Sequence, residues 1–218
     1  MKPISATEID KIIKKSKFLR KELIASALPA SNHSIYMART KHSKDIVFFI
    51  DEYNDNERMS SIEGFVLKTD DKGRTKEHKV CELTYYLGRD FYRTGHCAML
   101  LNIELTDNEF AGEGVGLYTL KALEYGAATR GFYRAEGRLR ATEEVYQNFY
   151  VRNGYADYRD DDYSLMVAKS LRDDDLTMTH NNILNHKTIK VFKDINAFKD
   201  FAPKSTSGGT SGAQAHNH

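Results

Sequence analysis

Ala111-Gly112-Glu113-Gly114-Val115-Gly116-Leu117 is the stretch that decides how this chain is read. Three glycines alternate there between a strand-like run, Ala98 to Leu105, and a stretch of helical period carrying Leu117, Leu120, Leu123 and Ala127. A turn of this kind lets backbone approach a ligand closely and points several N–H groups outward. The helix that follows adds partial positive charge, so turn and helix together suit a phosphate or pyrophosphate. A P-loop would need Gly-Lys-Ser/Thr five residues after its first glycine, and Leu117 stands at that place. A dinucleotide fingerprint would need a third glycine three after the second, where Leu117 or Thr119 stands instead. A turn that only packs a helix would use the same glycines, so the flanking sequence has to decide.

Upstream lie further short β-branched and aromatic runs, Asp45 to Ile50, Ile62 to Leu67 and Val80 to Leu87, with the polar turn Asp70-Asp71-Lys72-Gly73 between the last two. Their short connections predict an antiparallel meander. Downstream, Gly131 stands where a helix C-cap belongs, and Arg134 to Leu139 reads as a strand. A helix is expected from about Thr142 to Arg152, with Val145 and Phe149 on its buried face and a stop at Asn153-Gly154, followed by a strand at Tyr163 to Ala168. At the N-terminus, Ser5-Ala6-Thr7-Glu8 has capping-box spacing, and Ile9, Ile12, Ile13, Ser16, Leu19 and Leu23 follow a helical period. Lys11, Lys14, Lys15, Lys17, Arg20 and Lys21 then form the solvated face of that docked helix. The order of elements is α+β: a mixed, mainly antiparallel sheet flanked by helices.

Four segments follow: an N-terminal helical segment over 1–44, the main domain over 45–170, an extension over 171–202 and a tail over 203–218. The extension reads as a short strand and helix; the tail is too rich in Ser, Gly, Thr and Ala to offset its ordering entropy. The 218 residues are 40% apolar and 29% charged, with a net charge of +1, the balance of a globular protein with no general pull toward nucleic acid. No apolar run is long enough to span a bilayer, the first residues do not read as a signal peptide, and two cysteines make no disulfide framework. These features point to a cytoplasmic protein. His78 with Cys81, or His96 with Cys97, are the candidate metal ligands, but two thiols cannot complete a usual zinc site, and none is expected.

The glycine turn, entering an amphipathic helix after a strand, resembles the coenzyme A pyrophosphate loop of the GNAT N-acetyltransferases, which usually reads Arg/Gln-x-x-Gly-x-Gly/Ala. Phe149-Tyr150-Val151-Arg152-Asn153-Gly154-Tyr155 resembles the second mark of that family, an aromatic-Tyr pair followed by Gly and an aromatic. The two marks stand in the family's order, and the resemblance covers roughly residues 45–170. Three departures are plain: Ala111 replaces the usual Arg or Gln, Glu113 places a carboxylate inside a phosphate loop, and Glu143 stands where the family commonly has Asn ahead of the Tyr.

The resemblance implies a GNAT-like sheet and transfer of an acetyl group from acetyl-CoA directly to a primary amine, on a small molecule, a protein lysine or a protein N-terminus. It places the cofactor on Ala111, Gly112, Glu113, Gly114, Val115, Gly116 and Leu117. A backbone N–H near Leu105 would hold the thioester oxygen. Tyr150 becomes the general acid, its hydroxyl able to protonate a departing thiolate. Glu104 and then Glu82 are the candidate bases, as carboxylates on strands beside that site. The segments before Asp45 and after residue 171 could shape a substrate groove or a homodimer contact. The alternative reading is a GNAT-like module with little or no catalysis, acting as a regulator or effector.

Overall fold

A computed structural model of the chain describes residues 3–28, 33–42, 44–53, 59–89, 96–140, 144–159, 164–171 and 183–193. The chain opens with helix α1 (Ala6–Lys15), started by the expected capping box: Ser5 Oγ accepts from the Glu8 amide and the Glu8 carboxylate accepts from the Ser5 amide. Where the apolar period predicts one helix, there are two, because Ser16 adopts an extended backbone and begins α2 (Lys17–Ser26). Its hydroxyl accepts from the Leu19 amide at 2.8 Å and donates to Glu77 at 2.6 Å. A buried serine with two such partners outcompetes continued helix.

Strands β1 (His33–Arg39), β2 (Ile46–Tyr53), β3 (Met59–Thr69), β4 (Thr75–Arg89) and β5 (His96–Leu105) form the meander, each antiparallel to the next. The four predicted runs fall in β2 to β5. β1 lies within the segment read as helical; Ile35 to Ala38 are all buried because the sheet is covered on both faces, which removes the alternation that marks a strand. After β5 come helix α3 (Val115–Thr129), strand β6 (Arg134–Arg140), helix α4 (Glu144–Arg152) and strands β7 (Ala156–Arg159) and β8 (Ser164–Ser170). Gly131 and Gly154 both take positive φ, 84° in each case, just past α3 and α4, as their places in the sequence imply.

The extension contributes β9 (Ile183–His186) and β10 (Ile189–Phe192), an antiparallel hairpin that joins the sheet through a parallel pairing of β10 with β1. Of the short strand and helix expected in the extension, whatever falls beyond residue 193 lies outside the described residues, as does the tail over 203–218. The sheet order is β7-β8-β6-β5-β4-β3-β2-β1-β10-β9, with β5–β6 and β1–β10 the parallel pairs. The fold is thus the α+β, mixed and mainly antiparallel sheet expected.

The helices divide between the two faces. α1 and α2 bring Ile9 and Leu19 against Ile35, Met37, Phe48, Ile50, Ile189 and Val191. α3 covers the other face and is buried on nearly all sides from Tyr118 to Ala127. Val145 departs from expectation: it is 80% exposed, and the fully buried side chain of α4 is Tyr150. α4 packs against the β7 and β8 end of the sheet, so its inward face is narrower than the period suggests. Among the described residues, no helix is long and apolar enough to cross a membrane.

Candidate active site

The glycine turn is built from its near side by Asp107. One of its oxygens accepts from the Glu109 amide at 2.9 Å, starting a short 3-10 turn over Asn108–Phe110. The other faces Lys68 Nζ at 3.0 Å and His78 Nε2 at 2.7 Å. The Glu109 amide, with Lys68 and His78, holds the Asp107 carboxyl at about 2, below its ordinary 3.8. An unfolded chain therefore takes up this proton first, and the stabilisation present above pH 3.8 is lost as pH falls toward about 2. Asp107→Asn is expected to flatten the decline of Tm across that window, as followed by circular dichroism; an unchanged slope would remove Asp107 from acid stability.

Gly112 and Gly114 take φ of 75° and 86°, the left-handed region that glycine enters without strain. Gly114 is the N-cap of α3 and, having no side chain, takes none of the helix's first N–H groups. Those four donors have no partner inside the helix, and they point with the positive end of its dipole. A Cβ built on Gly112 would meet no atom within 4 Å, so the space before the turn is open.

Glu113 does not face that space. Its carboxylate turns back into the protein and is 8% exposed, with Oε1 at 2.6 Å from His42 Nδ1 and Oε2 accepting from the His42 amide at 3.1 Å. Burial pushes this carboxyl up, but the His42 ring and amide outweigh it and bring it below the usual range. The negative charge inside the glycine turn is thus paired with the His42 ring and amide.

Beside the turn, the sheet opens. β5 and β6 pair in parallel from Cys97 with Arg134 to Leu100 with Gly137, and there the ladder stops. β5 goes on with β4 as far as Leu105, while β6 goes on with β8 as far as Arg140. The register slips where Tyr85 faces Leu100 and Thr84 faces Asn102, which leaves Leu101 as a bulge at the point of parting. Gly137 permits the last close approach, since a Cβ there would lie 3.4 Å from Leu100 Cβ and 3.2 Å from Val167 Cγ2. Between the strands is a cleft of about 180 Å³ lined by Leu100 to Ile103, Gly137 to Leu139, Tyr146 and Tyr150. The β5 edge beyond Leu100 has no β6 strand against it and can offer backbone donors to whatever occupies the cleft.

Tyr150 is 3% exposed and packs edge-on to Phe149 and Tyr155, each ring 5.3 Å away. Burial, with a smaller contribution from Tyr146, pushes its hydroxyl up to about 12, so it holds its proton at neutral pH. The two sequence marks meet here: a Cβ on Gly116 would lie 3.8 Å from Phe149 Cζ.

The remaining candidates fall differently. Glu82 is held by Lys79 at 2.7 Å, and Lys79 also bonds Glu63 at 2.6 Å. Glu104 stands opposite Glu82 in the β4–β5 ladder and is exposed. Neither lines the cleft. Leu105 is half-buried at the end of β5, two residues past the cleft-lining Ile103 on the way to the turn. Ala111 is exposed and brings no polar side chain. The residues that sequence reasoning missed are Tyr146, His42 and the Leu101 bulge. Tyr146 had a signal, since it precedes Tyr150 by one helical turn.

The cysteines and histidines singled out have other partners. Cys81 is buried against Thr119 at 3.3 Å, its thiol pushed up to about 11 by burial, and His78 is engaged with Asp107. His96 packs edge-on to Phe132, and Cys97 lies 3.8 Å from Glu136. Among the described residues, no group of three or more His, Cys, Asp or Glu is placed to hold a metal ion.

No protein-family model matches the chain, and no curated protein matches it. Among solved structures it is similar to a Klebsiella pneumoniae protein assigned as an acyl-CoA N-acyltransferase, at 16% identity over 79% of this chain and 94% of that one, with a TM-score of 0.41. It is similar to the PaiA N-acetyltransferase of Thermoplasma acidophilum in complex with coenzyme A, at 15% identity over 77% and 80% of the chains, with a TM-score of 0.42. It is also similar to an acetyltransferase of the GNAT family from Staphylococcus aureus, at 11% identity over 54% and 70%, with a TM-score of 0.39. At such values the chemistry of the site has to be argued from this chain's own residues.

Proposed function

We propose that this chain is an acetyl-CoA-dependent N-acetyltransferase acting on a primary amine. The observation that carries the reading is the parting of β5 and β6, which opens a cleft lined by both strands, Tyr146 and Tyr150. The residues fit coenzyme A on three counts. The α3 N-terminus has no side-chain cap, the space before Gly112 is open, and the one carboxylate of the turn points away. Gly112 to Leu117 would hold the pyrophosphate, and the open edge of β5 would take the amide-bearing arm as an added strand does.

Bound there, acetyl-CoA supplies the activated acyl group. The β5 edge between Leu101 and Leu105 offers N–H donors to the thioester oxygen. Tyr150 holds a proton at Oη, ready for a departing thiolate, whose reference pKa is about 8.5. The acceptor amine must lose its proton, for which Glu104 through a water is the first candidate and Glu82, held by Lys79, the second. The acceptor is a small-molecule amine, a protein lysine or a protein N-terminus.

Thermal shift with acetyl-CoA tests the binding, because a ligand that favours the folded state raises Tm with concentration. No shift at millimolar concentration would sink the reading. Turnover over a panel of amines and peptides then separates an enzyme from a module that binds without reacting, the second reading, which Ala111 favours. Tyr150→Phe is expected to lower turnover about 100-fold while coenzyme A affinity stays within about twofold. Equal turnover in that variant would remove Tyr150 as the acid.

A further inference from the structure

Glu113 sits in the middle of the glycine turn yet spends its whole carboxylate on a different part of the chain. The turn between β1 and β2 is shaped by Thr40, whose amide bonds the Asp45 carbonyl at 3.0 Å and whose hydroxyl accepts from the Lys44 amide at 3.1 Å. That turn presents the His42 amide and ring to the two oxygens of Glu113, and the Lys41 amide to the Glu113 carbonyl at 2.8 Å. Three contacts thus tie one residue of the glycine turn to a neighbouring hairpin. At the near end, Asp107 makes a comparable tie to Lys68 and His78. Between these anchors stand only Asn108 to Gly112, of which Gly112 is free of side-chain packing.

We propose that Glu113 is a positioning residue for the ligand of the glycine turn: by reaching back to His42 it holds Gly112 to Leu117 in the shape that receives a pyrophosphate. The proposal rests on the coenzyme A reading for the identity of the ligand, but the strut itself is a property of the ligand-free protein. Left-handed glycines are cheap to leave as well as to enter, so a turn built from them needs outside anchors to stay pre-organised. Turning the carboxylate inward also keeps a negative charge from the anion's side of the turn.

The test uses the full chain with Glu113→Ala, Glu113→Gln and His42→Ala, the last at a side chain 59% exposed and therefore easy for the fold to lose. Hydrogen–deuterium exchange of ligand-free protein should show the amides of Lys41, position 113 and Tyr118, which bond the carbonyls of residue 113, Phe110 and Gly114, exchanging about tenfold faster in Glu113→Ala and His42→Ala, with the strands unchanged. Coenzyme A affinity by calorimetry should fall about tenfold in both, with KM for acetyl-CoA raised and kcat kept. Glu113→Gln should fall between, since its amide oxygen can still accept from the His42 amide. Unchanged exchange in Glu113→Ala and His42→Ala would overturn the strut. Tighter coenzyme A binding by Glu113→Gln would overturn it too, by showing that the charge faces the ligand. A wild-type chain that ignores coenzyme A would remove the ligand reading alone, and exchange would still decide the strut.

Discussion

Gly114→Asp is expected to abolish coenzyme A binding while leaving a folded protein. Gly114 has φ of 86° and starts α3, so a side chain there is strained but not excluded; left-handed backbone costs a non-glycine residue about 1–2 kcal/mol. The new carboxylate would stand at the first N–H groups of α3, which have no partner inside the helix and where the pyrophosphate is proposed to lie. At about 5 Å, with an effective dielectric near 20, two like unit charges repel by about 3 kcal/mol, which is about 100-fold in affinity. The carboxylate could also satisfy one of those donors itself and remove it from the ligand. Gly114→Asn separates the causes: asparagine tolerates the left-handed region and has similar bulk but no charge. Calorimetry with coenzyme A should rank wild type above Asn and Asn well above Asp. Equal affinity in all three would mean that the anion binds elsewhere.

Asp51→Ala is expected to cost about 3–5 kcal/mol of stability, a large part of the roughly 5–15 kcal/mol that holds a typical domain folded. Asp51 is completely buried on β2. It accepts from the Tyr85 hydroxyl at 2.6 Å and from Arg130 Nη2 at 3.0 Å, and Arg130 also donates to Tyr85 at 3.0 Å. Burial pushes the Asp51 carboxyl up, and Arg130 and Tyr85 oppose that shift. Truncation removes the carboxylate that Arg130 faces at the end of α3 and leaves a cavity beneath that helix. Gly126 reports on the same place, since a Cβ there would lie 2.9 Å from Asp51 Oδ2. Urea unfolding should show Asp51→Asn less damaging than Asp51→Ala, because the amide can still accept from Tyr85. A loss below about 1 kcal/mol in Asp51→Ala would show that this cluster does not hold α3 to the sheet.

The strands β2 to β5 could be read in advance because their runs are short, β-branched or aromatic, and bounded by turn residues. The caps of α3 and α4 could be read because Gly131 and Gly154 do a job that other residues do at a cost. β1 could not, and for β10 a strand in the extension could be read but not its place in the sheet. β1 is buried on both faces and lacks alternation, and β10 meets it in parallel from more than 140 residues later in the chain, a pairing that local sequence does not encode. Ser16 looked like one more position in a helical period, and only its partner Glu77, 61 residues away, makes it a break.

For the candidate site, the division lies between backbone chemistry and side-chain direction. The sequence by itself determined a glycine turn that opens α3, and an aromatic pair that follows on a later helix, because glycine spacing and helical period are local properties. Tertiary structure alone decided what those pieces surround. Whether β5 and β6 part, and where, depends on Gly137, on the Leu101 bulge and on how far β4 and β8 carry each strand past Leu100. The direction of the Glu113 carboxylate was equally hidden, because its partner His42 lies 71 residues earlier and meets it only through the turn that joins β1 to β2. Charge in a sequence has a sign but no direction, and direction turned the residue that seemed to oppose an anion into part of the turn's support.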